Sequence, residues 1–272
     1  MPSIRCSCCT HGLMLAGLLL AAQAVAAPRE GQDTPAAQPQ LDAQVTLNNL
    51  RALAEWRLRA VARMLSMIAN APEAQTGEWE PMRGLLLSMG DTGILANAIW
   101  LVRPDGSYYT VEKGLTGSSL ADRPYFPALM NGRSVMGTLV ISRSTGKRSV
   151  IIAEPIKKES RVIGGVGVSY SVDALSKEID EAMGLPAGVV FYALDPAGQA
   201  ALHRDPSLMF AYPSDLGEES LRSAVATMRS KDTGTVDYVF RGTQKRVLFQ
   251  KSKTLGWIFA LGFSEPVAKP IR

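Results

Sequence analysis

The chain has 272 residues, of which 46% are hydrophobic and 20% charged, and a formal net charge of +4. That length holds one or two domains with a sizeable core, and the composition is that of an ordinary globular protein. The charge is mild and dispersed, with no basic cluster interleaved with aromatics, which argues against nucleic acid as a partner. With 2 histidines, one of them His11 near the N-terminus, little remains for metal binding or histidine-based catalysis.

Residues 1–26 read as an export signal. Arg5 supplies the positive start, Gly12–Ala22 the apolar stretch and Ala24-Val25-Ala26 a small-x-small site, so cleavage is expected after about Ala26. The apolar run falls short of the about 20 residues a spanning helix needs, which leaves an uncleaved anchor as the lesser alternative. Cys6, Cys8 and Cys9 all lie in this leader, so the mature chain is expected to hold no thiol, disulfide or thiolate metal site. Residues 27–40, rich in Pro, Ala and Gln, read as a disordered tether.

Helical spacing begins near Leu41. Leu50, Leu53, Trp56 or Arg57, Val61, Met64, Leu65 and Ile68 recur at intervals of three and four, while Arg51, Arg57, Arg59 and Arg63 fall mostly on the other side. The pattern ends near Ala71, before Pro72, and predicts a helix about 45 Å long. Such a helix packs along two stacked modules, forms the seam of a homodimer, or does both. A second short helix is expected over Glu78–Met89.

Strand patterning follows. Ala98–Arg103 and Ser107–Val111 flank the turn Pro104-Asp105-Gly106. The loop Asp122-Arg123-Pro124-Tyr125-Phe126 opens a short helix, and Gly137–Ser142, Arg148–Pro155 and Val162–Ser171 form a three-strand meander. Val172–Met183 reads as a helix stopped by Gly184-Leu185-Pro186. The chain then repeats itself. Ala98–Gly106 matches Val190–Gly198, Gly137–Val150 matches Gly234–Leu248, and Val162–Ser169 resembles Leu255–Ser264, in the same order and at a period of about 95 residues.

On these residues the chain resembles the double Cache domain, the periplasmic sensor module of bacterial chemoreceptors and sensor kinases. The likeness runs from Leu41 to Phe263. It is carried by the long helix, the Asp122–Phe126 loop, Ser142–Gly146 before the strand that ends Ala153-Glu154-Pro155-Ile156, and the Gly164–Leu175 strand-into-helix. It implies an α+β fold in which a long N-terminal helix supports two tandem PAS-like antiparallel sheet modules. The divisions expected are 41–93 for the helix and connector, 94–183 for a ligand-binding module of the membrane-distal type, 184–264 for a module of the membrane-proximal type, and 265–272 for a tail. The location implied is the periplasm.

Family members that bind amino acids carry an Arg-x-Trp-Tyr loop, a Tyr five residues before the Arg and an Asp on the module's last strand. Here the loop is Arg123-Pro124-Tyr125-Phe126, the earlier position is Ser118 and the last-strand position is Ser169. The groups that grip an amino group are missing, so the resemblance favours a small organic acid over an amino acid, held by the guanidinium of Arg123. Tyr125, Phe126 and Tyr108 or Tyr109 are expected to wall the cavity, with Ser142, Ser169 and Lys157 as further hydrogen-bond donors. Plainer readings stand beside these. Asp122 is a helix cap with Arg123 paired to it or to Glu154, Tyr125 and Phe126 are core, and Lys157-Lys158-Glu159 is a solvated tip. His203-Arg204-Asp205 reads as a surface loop more readily than as a minor site.

No Gly-x-Ser-x-Gly elbow, phosphate-binding Gly loop or His-Glu-x-x-His is present, so no enzyme and no cofactor are expected. The expected function is an exported sensor or binding protein that reports to a separate membrane-bound signalling protein. The alternative is a ligand-free interaction module that docks on a membrane sensor kinase or cyclase.

Overall fold

The computed structural model describes residues 42–265. The leader, the tether and the tail beyond them lie outside the described residues.

Helix α1 spans Ala43–Ala69. Asp42 caps it, its carboxylate accepting from the backbone of Gln44 at 2.9 Å and Val45 at 3.0 Å, which satisfies two of the four free N–H groups of the first turn. The buried stripe is Leu47, Leu50, Ala54, Leu58, Val61 and Leu65, at the three-and-four spacing of one helix face. Trp56 departs from the expected apolar face. It is 57% exposed, and Arg57 turns partly inward instead to pair with Glu178. Helix α2, Trp79–Gly90, follows after a single 3-10 turn at Ala74–Thr76.

The first sheet holds β1 (Ala96–Val102), β2 (Ser107–Thr110), β3 (Gly114–Ser119), β4 (Val135–Ile141), β5 (Arg148–Lys158) and β6 (Arg161–Ser171), in the order β3-β2-β1-β6-β5-β4 with every pair antiparallel. The short helix α3, Phe126–Met130, lies between β3 and β4. Helix α4, Val172–Met183, continues directly from β6, with the Ser171 hydroxyl accepting from the Ala174 amide at 3.2 Å. The second sheet holds β7 (Val189–Leu194), β8 (Ala200–His203), β9 (Thr233–Phe240), β10 (Thr243–Lys251) and β11 (Ile258–Glu265), in the order β8-β7-β11-β10-β9. Helix α5, Glu219–Ser230, precedes β9. Leaving aside the extra edge strand β3, the two sheets have one strand order, which is the repeat read in the sequence.

Alternation along the strands gives each sheet two faces. Ile99, Leu101, Val150 and Ile152 of the first sheet share one core with α1 and with Phe191, Phe259 and Leu261 of the second. The opposite face of the first sheet packs Trp100, Tyr108 and Ile151 under α3, and that of the second packs Tyr192, Leu194 and Ile258 under α5. The glycines of β6 are required by this packing. A Cβ on Gly167 would sit 2.2 Å from the Trp100 ring, and one on Gly165 2.8 Å from Leu129 of α3. Trp257, fully buried, donates from its indole nitrogen to the carbonyl of Gly137 at 3.0 Å, where a bulge in β4 turns that carbonyl out of the ladder.

Candidate functional site

The face of the first sheet turned away from α1 carries a pocket. Its floor is Trp100, Val140, Ile151 and Ser169, and its cover is the 119–125 segment with Leu120, Arg123 and Tyr125. Tyr108 lies at one side, and Ser142, Arg143 and Ser144 from the tip between β4 and β5 form the rim. The Tyr125 and Trp100 rings stack, with centroids 6.0 Å apart and planes at 28°. The cavity is about 10 Å³, room for one water molecule.

Two arginines cross between cover and rim in opposite directions. Arg123, from the cover, donates to the Ile141 carbonyl at 2.9 Å. Arg143, from the rim, donates to the Ser119 carbonyl and to the Asp122 carboxylate, the latter at 2.7 Å. This hydrogen bond holds the Asp122 carboxyl below its usual range, and Asp122 in turn raises the Arg143 guanidinium. Burial pushes the Tyr125 hydroxyl well up, against the opposing pull of Arg123. Among the described residues neither the Tyr108 nor the Tyr125 hydroxyl has a hydrogen-bond partner. The lining contains two guanidinium groups and no carboxylate.

Of the residues expected from the sequence, Arg123, Tyr125, Tyr108, Ser142 and Ser169 meet at this pocket. Phe126 does not line it; it begins α3 and packs in the adjacent core. Lys157 does not line it either. It is exposed near the end of β5, beside Gly132. The pairings considered for Arg123 are absent, since Asp122 pairs with Arg143 and Glu154 accepts from Ser134. Asp122 is not a helix cap, because α3 is capped by Tyr125 without a side-chain bond. Arg143 and Trp100 are the largest of the further lining residues, which also include Leu120, Val140, Ser144 and Ile151 and lie outside the sequence expectation. Only the positions of Arg143 and Trp100, in the rim motif and opposite the Gly167 of β6, hint at them.

No protein-family model and no curated protein sequence matches the chain. Solved structures do. The ligand-binding domain of the Pseudomonas fluorescens chemoreceptor CtaA in complex with L-alanine is similar at 20% identity and a TM-score of 0.60, over 83% of this chain and 95% of that one. The sensor domain of the Vibrio cholerae histidine kinase DctB is similar at 14% identity and a TM-score of 0.64, over 82% and 96%. The ligand-binding domain of the Pseudomonas aeruginosa amino acid chemoreceptor PctB in complex with L-Arg is similar at 17% identity and a TM-score of 0.60, over 85% and 95%. The chain therefore has the two-sheet α+β fold of these sensor domains, the double Cache fold that its sequence resembles.

Proposed function

We propose that the chain is an extracytoplasmic sensor or binding domain that captures a small organic acid between Arg123 and Arg143, and that it reports to a separate membrane-bound signalling protein. The fold supports the sensor reading, since the similar structures are ligand-binding and sensor domains. The N-terminal export pattern supports an extracytoplasmic location, and no helix among the described residues is long and apolar enough to cross a membrane. The observation that carries the choice of ligand is a lining with two guanidinium groups and no carboxylate. A guanidinium forks onto a carboxylate with charge-assisted hydrogen bonds, while an ammonium group would meet two guanidinium groups and one carboxylate, Asp122, that already pairs with Arg143.

At one water's volume the pocket admits such a ligand only if the cover and the rim part. The Arg143–Asp122 pair that joins them is 30% and 64% exposed, and an ion pair so open to solvent contributes little to keeping them closed. A ligand carboxylate then replaces Asp122 and the Ile141 carbonyl as partner to the two arginines.

Calorimetric titration with acetate, lactate and succinate, alongside amino acids and amines, tests the proposal. Saturable heat is expected from at least one carboxylate and about tenfold or greater loss of affinity in Arg123→Ala. Silence toward every carboxylate, or unchanged binding by Arg123→Ala, overturns it. The small closed cavity favours one other reading, a ligand-free module that docks on a membrane sensor kinase or cyclase. Silence in the titration together with specific capture of such a protein from membranes would establish that reading instead.

A further inference from the structure

We infer that the second sheet carries a ligand pocket of its own, shaped for a small uncharged aromatic molecule bearing one hydroxyl or carbonyl group. The pocket lies on the same face of the repeated sheet as the first. Tyr192, on its floor, occupies the repeat position of Trp100 in the matched segments Val190–Gly198 and Ala98–Gly106. Its cavity is about 40 Å³, against about 10 Å³ for the first. That is room for roughly three waters, so a ring enters only as the cover moves outward on its open side.

The walls define the ligand. Leu194, Leu221, Val225 and Phe240 make them mainly apolar, and the lining contains no Asp, Glu, Lys or Arg. A charged ligand would be buried without a counter-charge, which is costly. The nearest charges, Arg241 and Asp205, already pair with each other at 3.6 Å. The Tyr192 and His203 rings stack on one another, with centroids 5.8 Å apart and planes at 16°, which makes this part of the wall aromatic.

The polar groups are few and under-used. The Tyr192 hydroxyl has the Tyr238 hydroxyl at 3.3 Å and the Met228 sulfur at 3.8 Å, and Tyr238 has no other partner among the described residues. His203 accepts from the Asp205 amide through Nδ1 at 2.8 Å, which places the proton of the neutral ring on Nε2. Burial lowers the His203 pKa to about 4, so the ring is neutral near pH 7. The Tyr238 hydroxyl and one ring N–H therefore stand ready for a single polar group in an otherwise apolar space.

The cover is the 204–217 segment, which supplies Leu208, Pro213 and Leu216. It is fixed at its middle, where Phe210 and Ala211 exchange backbone hydrogen bonds with Ala200 at 2.8 Å each. Beyond that anchor Tyr212 is 40% exposed and Leu216 39% exposed, which marks the open side.

Titration of the full chain with phenol, followed by amide chemical shifts, tests the inference, with benzoate as the charged counterpart. Phenol is expected to give saturable shifts at the amides of Tyr192, Ala200 and Tyr238, and benzoate to bind about tenfold more weakly or less. Leu221→Phe fills the cavity and is expected to weaken phenol by a similar factor. His203→Leu, which keeps the apolar wall but removes the N–H, serves the same purpose should Leu221→Phe fail to fold. Arg123→Ala is expected to leave phenol binding unchanged, which separates this site from the acid pocket. Absence of saturable shifts in the wild type, equal binding of benzoate, or shifts confined to the first sheet would overturn the inference.

Discussion

Single residues set how closely the layers approach. Trp100 lies across Gly167 of the neighbouring strand and is 2% exposed, with its ring 2.2 Å from where a Cβ would be. Gly167→Ala must therefore displace the indole from the pocket floor, and a loss of about 3 kcal/mol is expected from the urea midpoint. Gly84 is the control. It sits on the exposed side of α2 with nothing within 4 Å, so Gly84→Ala is expected to stabilise by about 0.5–1 kcal/mol through the lower entropy of the unfolded chain. His203 sets a pH dependence. Burial lowers its pKa to about 4 from 6.5, with Arg241 reinforcing the shift and Asp205 opposing it. The unfolded chain thus takes up a proton below about pH 6.5 that the folded chain refuses until about pH 4. The stability from this residue is complete above that window and falls as pH drops through it, by about 2 kcal/mol between about pH 7 and 5. Urea denaturation at the two pH values should show the loss in wild type and a smaller one in His203→Phe. Equal losses would place the pH dependence elsewhere.

At the scale of elements, the polar links described between the two sheets run through few side chains. Arg148, at the start of β5, pairs with Asp173 of α4 and donates to the carbonyls of Pro206 at 2.9 Å and Met209 at 3.1 Å. One guanidinium thus ties the strand that follows the rim of the first pocket to the cover of the second. Arg148→Ala leaves those carbonyls without a donor, and a loss of about 2 kcal/mol is expected, with faster hydrogen exchange over 206–212. Retained exchange protection there would show that the cover is held without Arg148, by its bonds to Ala200 and by Gln199 and Arg204. The elements themselves were largely legible. The spacing of α1 and α4, the Asp-Gly turn after β1 and the two-fold repeat all stand in the sequence as they do in the fold. Strand β3 was not, because Gly114-Leu115-Thr116-Gly117-Ser118-Ser119 has two glycines and no apolar alternation, and it gains its shape only by pairing with β2 at the sheet edge. Helix α5 carries a readable signal in Leu221, Ala224, Val225 and Met228, but it lies outside the matched segments of the repeat, which begin again only at Gly234. The pockets were half legible for a related reason. The loop motif pointed to Arg123 and Tyr125, whereas Arg143 looks like any solvated arginine at a strand tip until the fold brings the 119–125 segment across to it.

Over the whole described region, the two sheets do not have separate cores on the side of α1. Leu47, Leu50, Leu58 and Leu65 of the helix belong to one buried cluster with Ile152 and Val168 of the first sheet and Phe191, Phe259 and Leu261 of the second. Trp257 adds to it from the turn between β10 and β11 and hydrogen-bonds the first sheet through Gly137. Neither sheet can lose α1 without exposing its inner face, so the cost of opening one is shared by the other. Unfolding should accordingly be cooperative across residues 42–265, with the amides of β6 and β11 exchanging at the same global free energy. Leu58 is fully buried in this cluster, and Leu58→Ala is expected to cost about 2–5 kcal/mol and to lower the protection of both strands by the same amount. A drop confined to one strand would show that the sheets fold as independent units laid along the helix. In that case the ligand pockets on their outer faces would have no path through this core by which one could sense the other.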